Sequence, residues 1–121
     1  MSQNEAPTEE QLDAIRHLCG GEVSYRTDGW RRLIYMGSLR FKADGQNCEM
    51  DGVLVLNHDN ATYPTKLYLA ENVGCGLNWN ETAYILGRNW HTYSWANVPP
   101  HLTPFEILAN HLAPMAIGKA A

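Results

Sequence analysis

Arg31-Arg32-Leu33-Ile34-Tyr35-Met36-Gly37-Ser38-Leu39-Arg40-Phe41 places Leu33, Tyr35, Leu39 and Phe41 at alternating positions, with Gly37-Ser38 between the two pairs. Alternation of this kind marks a β-strand, because successive side chains point to opposite faces. The polar residues 42–49 follow and contain Asp44-Gly45, a hairpin turn signal. Met50 to Leu56, rich in Val and Leu, reads as a second strand. Asn57-His58-Asp59-Asn60 then makes a turn, and Tyr63-Pro64 leads into a third strand over Lys66 to Ala70. Connections this short leave no room for crossover helices, so the three strands are expected to pair as an antiparallel meander.

Upstream, Thr8-Glu9-Glu10-Gln11 has the pattern of a capping box, with Leu12, Ile15 and Leu18 at helical spacing and Gly20-Gly21 as the stop. A short amphipathic helix of about three turns is expected there. Residues 1–7 read as a disordered tail, and 8–121 as a single domain. Downstream, residues 71–102 show no period and carry Gly74, Gly76, Trp79, Trp90 and Trp95 before Pro99-Pro100. A long segment without regular structure is often functional. Thr103-Pro104-Phe105-Glu106 opens a last helix, with Phe105, Ile107, Leu108 and Leu112 as its apolar face until Pro114 interrupts it. The fold class expected is α+β: helix, meander, long irregular segment, helix.

The chain's 121 residues are 45% hydrophobic and 18% charged, the balance of a globular domain. No apolar run approaches the ~20 residues of a membrane span, and the first residues lack the basic and apolar regions of a signal peptide. A cytoplasmic location and no membrane partner are expected. Basic residues occur in pairs at most (Arg31-Arg32), so no nucleic-acid partner is expected. Cys19, Cys48 and Cys75 lie too far apart in sequence for a metal motif or a redox pair. They are expected to be free thiols and, except Cys75 in its Gly74-Cys75-Gly76 loop, small buried residues. His17, His58, His101 and His111 have no ligand spacing and read as surface or capping residues.

Leu86-Gly87-Arg88-Asn89-Trp90-His91-Thr92-Tyr93-Ser94 resembles the Leu-Gly-Arg-x-Trp-Gln-x-Trp-Ser segment of a diverged prokaryotic branch, family E, of the ubiquitin-conjugating enzymes. Tyr63-Pro64 is similar to that fold's Tyr-Pro turn, and Trp95 to Thr103 to the Trp/Pro stretch before its helix. The resemblance runs in order over roughly residues 8–115. It implies a ubiquitin-conjugating-enzyme-like fold with a long active-site segment, and a carrier role in a bacterial conjugation pathway. The implied partners are a ubiquitin-like protein, an adenylating activating enzyme docking on the N-terminal helix, and target amines. ATP is used by the activating enzyme, and no cofactor or metal is expected on this chain. The fold's ordinary catalytic cysteine would fall near Arg88 to Trp90, where this chain has none, and the His-Pro-Asn tripeptide is also missing.

The acyl group is then expected on a hydroxyl, as an oxyester: Ser94 first, Thr92 second, with Cys75 third if its loop folds over the site. His91 is the candidate base and Asn89 the candidate oxyanion donor. Against these stand plainer roles. Ser94 would satisfy a turn, and His91 would be a partly buried hydrogen-bonding residue. Arg88 would pair with a carboxylate such as Glu81, and Trp79, Trp90 and Trp95 would anchor core and loop. The alternative function is a non-catalytic scaffold of the same fold that binds the ubiquitin-like protein or the activating enzyme.

Overall fold

The computed structural model describes residues 6–79 and 81–117; residues 1–5 of the expected tail lie outside them. Thr8 caps helix α1 (Glu9–Arg16) through the reciprocal box with Gln11, and Leu12 and Ile15 are buried beneath it. The helix is about two turns long, shorter than its pattern suggested. Six strands follow: β1 (Val23–Asp28), β2 (Arg31–Ala43), β3 (Gln46–Val55), β4 (Lys66–Leu69), β5 (Glu81–Ile85) and β6 (Arg88–Thr92). Helix α2 (Pro104–Ile117) is the last element among the described residues.

The strands form one antiparallel sheet in the order β1-β2-β3-β4-β6-β5. The expected meander is its β2-β3-β4 portion. Two elements were not anticipated. β1 adds an edge strand, and the segment expected to be irregular contains the β5–β6 hairpin. The hairpin turns on Leu86-Gly87 at φ 53° and 81°, as β2–β3 turns on Asp44-Gly45 at φ 55° and 80°. Both central residues are left-handed in each, the geometry whose twist suits a two-residue hairpin.

One face of the sheet carries Ile34, Met36, Leu54, Leu67 and Leu69 and is covered by both helices, with Tyr93, Val98, Ile107 and Leu108 completing the core. α1 reaches its place through β2. A bulge between Met36 and Leu39 leaves Ser38 at φ 50°, and Gly20 and Gly21 donate to the carbonyls of Ser38 and Gly37 at 2.8 and 2.9 Å. In α2 the buried face is Pro104, Ile107, Leu108, His111 and Met115, so Phe105 is exposed, contrary to expectation. Pro114 does not end the helix: it is itself buried, and Asp44 N–H donates to the Met115 carbonyl at 2.9 Å. His111 is likewise a core residue rather than a surface one. Thr65 donates its hydroxyl proton to the Val98 carbonyl, so the His111 Nε2–H donates to Thr65 Oγ1, each at 2.9 Å.

The other face holds a second apolar cluster of Leu33, Val53, Val55, Tyr68, Ile85 and Trp90. The sheet itself covers this cluster by curling. The backbones of Tyr35 on β2 and Trp90 on β6 would stand about 16 Å apart in a flat sheet, yet their rings meet edge to face at 6.5 Å. The outermost strands also meet: Leu86 N–H donates to Asp28 Oδ2 at 2.7 Å.

Candidate functional site

The segment singled out for chemistry is β6 and the residues leaving it. Its register is set on both sides, Tyr68↔Thr92 and Leu69↔His91 with β4, and Thr82↔His91 and Tyr84↔Asn89 with β5. Trp90 and Thr92 therefore face the curled side, while Asn89 and His91 face the opposite way. Trp90 is fully buried and donates its indole N–H to the Ile85 carbonyl at 2.9 Å. Thr92 is also fully buried, and its hydroxyl donates to the Leu67 carbonyl at 2.7 Å. That hydroxyl is engaged within the sheet and closed to solvent.

Cys75 sits in a loop where Gly74, Cys75 and Gly76 all have positive φ, between 66° and 73°. Its thiol points to the Val73 carbonyl at 3.6 Å. Partial burial raises the thiol's pKa, and Asp44 and Cys48 raise it further. A nucleophilic cysteine needs the opposite, an electropositive setting that favours thiolate. Trp79 holds the loop by donating to the Gly74 carbonyl at 2.7 Å and by packing its ring 5.0 Å from that of Tyr93. Tyr93 separates this loop from the interior: its hydroxyl donates to the His111 carbonyl, and burial pushes its pKa far up.

Ser94 is half-buried, and its amide donates to the Asn78 carbonyl at 3.0 Å. β6 runs antiparallel to β4 and β5, so Ser94 leaves the sheet at the end where those strands begin, with Lys66 and Glu81. His91 lies three residues upstream, about 10 Å along an extended chain. Asn89 is exposed near the hairpin turn. The five nominated residues thus lie on both faces of β6 and in a separate loop. Among the described residues no group of three or more His, Cys, Asp or Glu side chains is placed to hold a metal ion.

The charges around the hairpin also differ from expectation. Arg88 pairs with Asp51, at 3.0 Å, and not with Glu81, while stacking 4.4 Å over the Trp90 ring. Asp51 is a hub. The Ser38 amide, then Arg88 and the Tyr35 hydroxyl, hold its carboxyl below the usual range despite partial burial. Glu81 pairs instead with Lys66, at 3.6 Å. Lys66 is 5% exposed and was not singled out in the sequence, although a lone cation opening an apolar strand was a visible signal.

No family model, curated protein or solved structure matches the chain. No helix among the described residues is long and apolar enough to cross a membrane.

Proposed function

We propose that the chain is a ubiquitin-conjugating-enzyme-like carrier of a bacterial conjugation pathway that accepts the C-terminal acyl group of a ubiquitin-like protein on Ser94. The observation that carries the choice is exposure: Thr92 is sealed and bonded within the sheet, whereas Ser94 is partly open to solvent at a sheet end. Support for the pathway comes from the Leu86–Ser94 resemblance, which here spans the hairpin turn, β6 and its exit. In the reaction the Ser94 oxygen adds to the activated carbonyl, the bond to the activating enzyme's leaving group breaks, and the hydroxyl proton departs with that group. His91, three residues upstream, is the chain's candidate base for this proton.

The lack of a cysteine near Arg88 to Trp90 favours a second reading, a non-catalytic scaffold of the same fold. Intact-mass measurement after incubation with ATP, the activating enzyme and the ubiquitin-like protein separates them. The carrier gives an adduct that survives thiol reductant, is cleaved by mild base, and is absent in Ser94→Ala. Retained binding without any adduct supports the scaffold, and an adduct lost in Cys75→Ala overturns the serine assignment.

A further inference from the structure

The sheet end from which β4 and β5 start gathers two cations, Arg31 and Lys66, whose donors are incompletely satisfied. The register Leu33↔Val55↔Lys66 places Arg31 and Lys66 on the curled face, one step apart along it. Tyr68 and Glu81 share that face through their common partner Thr92. Lys66 is almost wholly buried, and its ammonium makes no hydrogen bond with any described residue. Its companions are the Glu81 carboxylate at 3.6 Å, beyond hydrogen-bond length, and the Tyr63 ring, 5.1 Å away. The Arg31 Nε–H is sealed from solvent with no acceptor, while its guanidinium lies 4.8 Å over the ring of Trp30. Both Arg31 and Glu81 act on the Tyr68 phenol, which fixes them as neighbours around that buried hydroxyl. Lys66 has the half-exposed Glu81 carboxylate, and Asp28, opposite Arg31 in the β1–β2 register, has its carboxylate engaged by the Leu86 N–H.

Buried donors without acceptors are costly, and buried cations are ordinarily matched by anions. Register alone separates the Arg31 and Lys66 backbones by two strands and one step, about 12 Å, a span two long side chains can close on a single oxyanion. We infer that Arg31, Lys66 and Tyr68 form a binding site for a small oxyanion, the carboxylate or phosphate group of a ligand, with the half-exposed Trp30 at its mouth. Glu81 acts as the resident competitor that keeps Lys66 neutralised when the ligand is absent. The inference stands independently of the conjugation reading.

The test uses the whole chain with inorganic phosphate and acetate as probes, each against chloride at matched ionic strength. The expected result is a selective shift of the Trp30 indole and Arg31 Nε–H resonances and a rise in melting temperature. Phosphate as the effective probe identifies a phosphate-bearing ligand, and acetate a carboxylate. Glu81→Gln tightens binding, whereas Lys66→Met or Arg31→Met weakens it about tenfold or more, the loss of one charge-assisted contact. The site is overturned if neither probe exceeds chloride in the wild type and Glu81→Gln. It is equally overturned if binding survives unchanged in a folded Lys66→Met protein.

Discussion

At Thr92 a hydroxyl that reads as reactive in the sequence is a structural donor, because its strand is central and its side chain points into the closed side of the curl. Replacing it in Thr92→Val removes one buried hydrogen bond and lowers stability by about 1 kcal/mol in chemical denaturation. Adduct formation at Ser94, by contrast, is retained. His111 gives a second residue-scale prediction. Burial, and then the nearby Lys66 charge, lower its pKa from 6.5 to about 4. The unfolded chain therefore binds a proton below pH 6.5 that the native state refuses until about pH 4. The stability from neutral His111 is complete above pH 6.5 and is lost between those values, by roughly 3 kcal/mol in total. His111→Gln, which keeps a donor for Thr65, flattens that part of the unfolding free energy measured against pH.

Among the elements, those with strong local signals were legible in the sequence: the capping boxes, the Asp44-Gly45 turn and the Val- and Leu-rich strands. The β5–β6 hairpin was not, because its turn places Leu86 where Asn or Asp is usual and its strands carry Glu, Thr, Arg, Asn and His. β1 was also obscured, its polar residues suiting an edge strand whose partner lies on one side only. The face of α2 was misread by one position because Phe105 outweighed His111 in the pattern. None of the nominated site groups could be tested for convergence without knowing which face of β6 each occupied. The join of α1 to the sheet is a prediction at this scale. A Cβ on Gly37 would stand 3.0 Å from the Glu22 amide nitrogen, inside the 2.7 Å Gly37 N–H to Glu22 carbonyl link. Gly37→Ala therefore costs about 1–3 kcal/mol, read as a lowered denaturation midpoint with unchanged slope.

Across the whole molecule, the helices pack on one face and the sheet folds over the other, so a chain of this length maintains two apolar clusters. The curl is held at its far end by the Asp28 carboxylate and the Leu86 amide, residues 58 positions apart. Removing that acceptor in Asp28→Ala frees the hairpin turn. Amide exchange in β5 then quickens while β2 and β3 remain protected, and equal acceleration throughout would show that the tie does not act locally. The tie also bears on how the molecule behaves in company. Outer strands of a sheet offer unpaired backbone groups on which other chains can assemble, and curling both toward each other denies a second copy a straight template. With Asp28 intact the exposed Tyr84 strand is bent out of line for such growth. Without it the same strand becomes the place where fibrous self-association would begin.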